Sequence, residues 1–353
     1  MFHYCSMADT YGYFLVTLCI IGTLGNLLTL VVLRNKKDKK KSTNWLLQTL
    51  AVADSLYLFA RLLSVLFKFF ACRYVEWLPL AVSRPFSTVE PYVESCASLF
   101  HMISVWTVVV ITVDRYIVVC MPSEVQLRTV RRAKVAIACV AGASIVCCLP
   151  GFVEWKTGST LSPLNCDDAN PMRTDHSWWL IVHQIVCNCV LRTVIPLVVL
   201  VVLSSRIITR LRRMTRYFRK CRCSREQKKK VFRKINWRRS LTATLVAVMA
   251  LFLGCQLPQL SVRVCKLLHQ LLPSVLFDVE ALLQADNVAN GLLVVNATAN
   301  FFVYCIVGND FRRRLFQLLS VNNLPACAEK CEFQRTNVQK PMTAANLKWA
   351  NPL

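Results

Sequence analysis

Acidic residues are scarce in this chain: 19 Asp and Glu stand against 43 Lys and Arg, for a formal net charge of +24. Charge of either sign is also scarce, at 18% of residues, where soluble domains carry about 25%. With hydrophobic residues at 55%, the 353 residues are not expected to form two soluble domains but an integral membrane protein. Nucleic-acid binding is the usual inference from so high a pI. Here the basic residues alternate with apolar spans and form no patch on a soluble core, so no nucleic-acid partner is expected. The 18 cysteines lack zinc-finger spacing, and many lie inside apolar segments, as in Cys147-Cys148 and Cys187-Asn188-Cys189. There is no nucleophile–base set and no phosphate loop, so an enzyme is not expected. The chain opens MFHYCSMADT, with no basic stretch before the first apolar run, and no cleavable signal peptide is expected.

What is present is a series of apolar runs near the length of about 20 residues that a bilayer requires. They cover roughly 11–33, 45–70, 95–121, 132–151, 178–204, 240–266 and 285–307. A six-span alternative that drops the last run leaves Phe301–Val307 without a place. Helices are the spanning element, because backbone groups in lipid must bond internally. No inverted repeat of the transporter type is visible. The expected class is an all-α bundle of seven transmembrane helices. Basic residues concentrate in alternate connections: RNKKDKKK at 34–41, four in 128–134, sixteen in 206–239 and seven in the tail from Arg312 on. The other connections hold most of the acids, among them Glu76, Glu90, Glu154, Asp167, Asp168, Asp175, Asp278 and Glu280. Basic loops stay cytoplasmic, so the N-terminus is expected outside and the tail inside.

Polar residues within the spans are costly and point to function. Asp54 is mid-span, with Ser104, Asn296 and Asn300 as available partners; oxygen ligands of this kind suit a small hard cation or a water network. A protonated carboxyl hydrogen-bonded to Asn is the lesser alternative for Asp54. Asp114 and Arg115 lie at the cytoplasmic rim of the third span, where a long Arg side chain can snorkel. Arg115 is expected to face the bundle, with Asp114 pairing with it or with a neighbour. Arg61 lies two helical turns from Asp54; Glu94, His101, Ser104 and Arg115 share a face of span three; Gln256 and Gln259 share one on span six; Arg192 lies one turn before Pro196. Together they imply a water-accessible cavity on the outer side, although each alone suits a helix–helix hydrogen bond. Pro150, Pro196 and Pro258 each free a carbonyl and can kink a helix.

Gly25-Asn26, LAVAD ending at Asp54, Asp114-Arg115-Tyr116, Pro196, FLGCQLP (252–258) and NFFVY (300–304) occur in the order found in rhodopsin-like (class A) G-protein-coupled receptors. GNDFRRRLFQLL (308–319) resembles the short amphipathic helix that follows the seventh span. The resemblance covers about residues 11–320. Departures are Gln256 where most members have Trp, Phe301 where most have Pro, and no mid-helix Trp in span four. SVWTVVVITVDRYIVVC (104–120), FLGCQLP and ATANFFVYCIVGNDFRRRL (297–315) resemble the invertebrate FMRFamide-receptor-like group. Ala97 in place of an Asp argues against an amine receptor, and Val294 in a region where a Lys would hold retinal argues against an opsin.

The resemblance implies a plasma-membrane receptor for a neuropeptide, in particular an amidated RFamide-type peptide, coupled to a heterotrimeric G protein. It implies a short outer N-terminus (1–10), a bundle (11–307), an amphipathic helix (308–320) and a cytoplasmic tail (321–353). Asp114, Arg115, Tyr116 and Tyr304 would form the G-protein switch. Asp54, Ser104, Asn296, Asn300 and Asn26 would form a polar network able to hold an allosteric Na+, with no other cofactor expected. Arg61, Glu94, His101, Arg192, Gln256, Gln259 and Asp286 would contact ligand. Members of the class carry a disulfide from the outer end of span three to the second outer loop. The slot near Glu90 has no cysteine and Cys96 is too deep, so Cys72 is the expected substitute partner of Cys166. Cys327 or Cys331 is the expected palmitoylation site. Two rival readings are a transporter or channel, suggested by Asp54 and the polar interior, and a receptor-like protein without signalling, suggested by Gln256 and Phe301.

Overall fold

The computed structural model describes residues 2–34, 42–74, 80–121, 123, 129–158, 182–220, 225–272 and 278–321. The helices are α1 (Phe2–Leu33), α2 (Ser42–Tyr74), α3 (Leu80–Cys120), α4 (Val130–Gly158), a π-helical segment (Gln184–Val194) running directly into α5 (Ile195–Lys220), α6 (Arg225–Leu271), α7 (Val279–Val307) and α8 (Asn309–Val321). Seven helical stretches are long and apolar enough to cross a membrane, at Tyr11–Leu33, Ser42–Phe69, Val89–Cys120, Val130–Phe152, Ile185–Arg216, Val246–His269 and Val279–Ile306. No strand occurs among the described residues. All seven expected spans are present, displaced at their ends by a few residues, except that the fifth runs well past its expected end at 204.

α3 is the central helix. It packs on α2, α4 and α5, and 56% of its most apolar stretch is buried, against 6% for α4. α1, α2, α3 and α7 share one core of Leu15, Cys19, Tyr57, Leu58, Ala97, Leu293, Val294 and Ala297. Two glycines allow the close approach of α1. A Cβ on Gly22 would overlap the Thr298 hydroxyl and come within 2.7 Å of Leu58 Cδ1. One on Gly25 would come within 2.9 Å of Phe301 Cγ. Small residues at helix contacts take the place of the hydrophobic drive that lipid does not provide. The bulk of Phe301, unexpected at its position, is thus housed by the missing side chain of Gly25. α4 is held more lightly: Lys134 Nζ sits 4.4 Å from the centre of the Trp45 ring on α2, and His183 bonds to the Cys147 carbonyl at 2.9 Å.

The π-helical segment ahead of Pro196 is a departure from the simple kink expected there. Proline has no N–H to offer the carbonyl four residues back, and a π turn is one way a helix absorbs such a fault. The wider turn is seen directly: the Ile195 N–H bonds to the Val190 carbonyl, five residues back. The Thr193 hydroxyl reaches the Asn188 carbonyl at 3.4 Å, again five back. α7 begins on Asp278, whose side chain accepts from the Glu280 N–H at 3.0 Å, a capping bond. α8 carries the Arg312-Arg313-Arg314 triplet on a separate 13-residue helix.

Candidate functional site

Asp54 is 1% exposed, and both of its oxygens are used. The Ser104 hydroxyl donates to Oδ1 at 2.5 Å and Asn300 Nδ2 donates to Oδ2 at 2.7 Å. A buried polar group without a partner costs about 1–3 kcal/mol, so the cluster holds α2, α3 and α7 at one spacing. Asn296, one turn before Asn300 and also buried, makes no side-chain hydrogen bond among the described residues and does not reach Asp54. Asn26 is not part of it either: its Nδ2 donates to the Ala297 carbonyl at 3.2 Å and pins α1 to α7. Asp54 and Ser104 supply two hard oxygens that suit Na+. Asn300 offers the carboxylate an N–H rather than its oxygen. Among the described residues no group of three or more His, Cys, Asp or Glu side chains could hold a metal.

At the basic end of the bundle, Asp114 accepts from the Ser42 hydroxyl at 3.1 Å and the Thr43 hydroxyl at 3.0 Å. Both hydroxyls belong to the first turn of α2, where Ser and Thr are favoured for capping. Arg115 Nε is 4.0 Å from Asp114 Oδ2, and its side chain is largely buried. Of the two expected arrangements, the neighbour supplies the short bonds and the arginine the longer electrostatic contact. Tyr116 packs on a cluster of Val119, Ile207 and Leu211 that joins α3 to α5. Tyr304 is buried, and its carbonyl accepts from the Gly308 N–H at 3.0 Å, closing α7.

At the opposite end, Arg61 grips Glu94 with Nη1 2.6 Å from both carboxylate oxygens. The Ser64 hydroxyl donates to Glu94 at 2.6 Å, and Lys68 lies 3.2 Å from Glu90 and 3.6 Å from Glu94. A charge-assisted pair of this kind is among the stronger polar contacts. It ties α2 to α3. One level deeper, the imidazole of His101 meets Gln256 Nε2 at 2.9 Å and lies 5.3 Å from the Tyr57 ring. Gln256 therefore links α6 to α3 at the position where Trp was expected. Arg192 donates to Asn188 Oδ1 at 3.2 Å and to the Ser98 carbonyl. Arg263 donates to the Asn188 carbonyl at 2.7 Å. Asp286 pairs with Lys266 at 3.0 Å and accepts from Asn290 at 3.2 Å, joining α6 to α7. Gln259 is buried, and its Oε1 has no partner among the described residues.

Ser42, Thr43, Ser64, Lys68, Asn188, Arg263 and Lys266 are therefore members of these clusters that sequence reasoning did not single out. Ser42-Thr43 at the head of an apolar run is a capping signature and was open to detection. Asn188 and Arg263 carry no comparable sign, because nothing local says that the two helices meet there. The expected disulfide lies outside the described residues: Cys166 is not described, nor is the side chain of Cys72. Cys327 and Cys331 also lie outside them.

Seven helices apolar and long enough to cross a membrane, joined by three polar clusters, make the architecture of a multi-pass helical membrane protein. The chain belongs to the rhodopsin family of seven-transmembrane receptors, whose family pattern matches residues 25–304. It is similar to the FMRFamide receptor of Drosophila melanogaster, 22% identical over 305 residues, 83% of this chain and 51% of that protein. It thus spans about half of that relative's length. It is also similar to the sex peptide receptor of Drosophila melanogaster, 26% identical over 315 residues, 86% of this chain and 70% of the relative. A shorter match is to the green-sensitive opsin of Oryzias latipes, 30% identical over 146 residues, 41% of this chain and 39% of that protein.

Proposed function

We propose that the chain is a cell-surface neuropeptide receptor, with its N-terminus outward, that activates a heterotrimeric G protein when peptide binds. The observation that carries this reading is the Asp114 clamp: a rim carboxylate held by two hydroxyls of α2, with the Arg115 guanidinium beside it. A peptide that binds the active arrangement better shifts the population toward it. Arg115, parted from Asp114 as the helices separate, then helps to form the pocket for the G protein, with Tyr116 and Tyr304 beside it. Arg61, Glu94, His101, Gln256 and Asp286 belong to the ligand end. Na+ at Asp54 and Ser104 favours the resting state. Coupling is reciprocal, so Na+ weakens agonist binding and G protein strengthens it. An amidated RFamide-type peptide is the sharper choice of ligand, supported by the similarity to the FMRFamide receptor.

The test is nucleotide exchange on a G protein, measured against a panel of amidated neuropeptides with wild type and Arg115→Ala. Wild type is expected to respond, and Arg115→Ala to lose the response while still reaching the cell surface. Normal coupling by a well-expressed Arg115→Ala protein would defeat the switch. Substrate flux without nucleotide exchange would favour a transporter. Absence of both basal and peptide-evoked exchange would favour a non-signalling relative, the reading supported by Phe301 against Gly25 and by the Gln256–His101 bond. The Cys72–Cys166 disulfide and acylation at Cys327 or Cys331 belong to the same proposal. Non-reducing peptide mapping tests the first, and hydroxylamine-sensitive labelling of a double Cys→Ala variant tests the second.

A further inference from the structure

Two arginines in the ligand end of the bundle share one asparagine and, among the described residues, no acid. Arg192 is 4% exposed. Its Nη1 bonds to Asn188 Oδ1 at 3.2 Å, its Nη2 to the Ser98 carbonyl, and its Nε to nothing among the described residues. Arg263, half-buried on α6, reaches the carbonyl of the same Asn188 at 2.7 Å. Neither has an ion pair among the described residues. Nearby acids are engaged elsewhere, Glu94 by Arg61, Ser64 and Lys68, and Asp286 by Lys266 and Asn290. Two like charges held by one residue repel, the more so because the burial of Arg192 weakens screening, and a buried charge without a counter-ion is disfavoured. Gln259 lies one helical turn before Arg263 on α6, so the two share a face, and its buried Oε1 is an acceptor that nothing among the described residues uses.

We propose that Arg192, Arg263 and Gln259 form the seat for an acidic residue of the peptide ligand. The carboxylate lies between the two guanidiniums, takes up the free Nε of Arg192 and supplies the missing counter-charge. A backbone N–H of the same peptide residue reaches Gln259 Oε1. An inorganic anion would satisfy the arginines but leave Gln259 without a donor, which is why a peptide acid suits the site better. The arginine of an RFamide end is repelled here and binds elsewhere. This inference rests on the reading of the chain as a peptide receptor.

The test uses the full chain in lipid nanodiscs and follows the unfolding midpoint at constant ionic strength. The probes are N-acetyl-glutamate N-methylamide, its glutamine counterpart and chloride. The glutamate probe near saturation is expected to raise the midpoint by about 2–4 °C, and the glutamine probe to leave it unchanged. Arg263→Gln is expected to remove the shift. Because Arg263 is only half-buried, this variant decides the matter even if Arg192→Gln does not fold. Equal shifts from both probes, a shift that survives Arg263→Gln, or the same shift from chloride alone would overturn the proposal. A second arm compares peptides of the amidated panel that differ by one Glu→Gln change. At least about a tenfold loss of potency is expected on wild type, and none on Arg263→Gln. Should no peptide activate the protein, the receptor reading fails while the thermal shift still decides the seat.

Discussion

The two sides of this bundle are built differently. α1, α2, α3 and α7 share a continuous core and exchange bonds that use most of their polar atoms: Asp54 has both oxygens used, Asn26 is tied to Ala297, and Glu94 is gripped by Arg61 and Ser64, with Arg61 Nε and the Asn296 side chain as exceptions among the described residues. α4 and the π-helix–α5 unit are mostly lipid-facing, with 6% and 22% of their most apolar stretches buried. On or facing that side, Ser144 Oγ, Arg192 Nε and Gln259 Oε1 remain without partners. Interfaces with closed hydrogen bonds and close-packed glycines resist displacement, because any shift exposes an unpaired group or opens a void. Those with spare donors and acceptors can accept a ligand or slide at smaller cost. The first side is a frame, and the second is where an occupant can act.

Glycines give the sharpest way to break this comparison. Gly22→Val should have the largest effect, since even its Cβ overlaps Thr298 and Leu58 side chains. Overpacking at such a contact costs about 3 kcal/mol, so the unfolding midpoint should fall by roughly 4 °C or surface expression should be lost. A well-expressed Gly22→Val protein with an unchanged midpoint would show that α1 is not part of the frame.

Next in size is the Arg61–Glu94 pair. Without Arg61, Glu94 keeps Ser64 and Lys68 and is 29% exposed, so the loss should be about 1–2 kcal/mol. Arg61→Leu should therefore destabilise moderately, and adding Glu94→Gln should recover part of the loss. A double-mutant cycle of midpoints measures this; strict additivity would mean that the two side chains do not act together.

Asp54→Asn is expected to be milder. An asparagine can still accept from Asn300 and donate to the Ser104 oxygen, so the cost should be about 1 kcal/mol. Its signature is functional: agonist affinity should fall with rising Na+ in wild type and become independent of Na+ in Asp54→Asn. A flat wild-type curve at constant ionic strength would leave Asp54 as a structural carboxyl. Smallest of all is Gly142→Val on α4. No heavy atom lies within 4 Å of a Cβ there, and the midpoint should move by no more than about 0.5 kcal/mol in equivalent stability. The contrast with Gly22→Val, measured in one assay, separates the two sides of the bundle most directly.

Much of the fold was legible because a bilayer imposes a simple rule on length and hydropathy. The seven apolar runs and the mid-span place of Asp54 could be read from length and hydropathy, and Ser104 and Asn300 only as polar partners available to it. Parts of the site were legible only as residue types. Asn296 and Asn300 sit four apart on one helix face, and both read as partners of Asp54, yet only Asn300 reaches it. Asp114 beside Arg115 reads as a pair in the chain, yet its short bonds go to Ser42 and Thr43, more than seventy residues away.

By itself the sequence determined how many helices there are, which stretches lie in lipid and which carry charge, because these depend on local composition and on the cost of unsatisfied groups in hydrocarbon. Which buried polar groups meet was decided only by the tertiary structure. Pairing depends on each helix's rotation and on its neighbours, and a difference of one turn, or a π-helical segment ahead of Pro196, re-aims a side chain. That is why Asn188 could bring Arg192 and Arg263 together from two helices whose sequences carry no sign of the meeting.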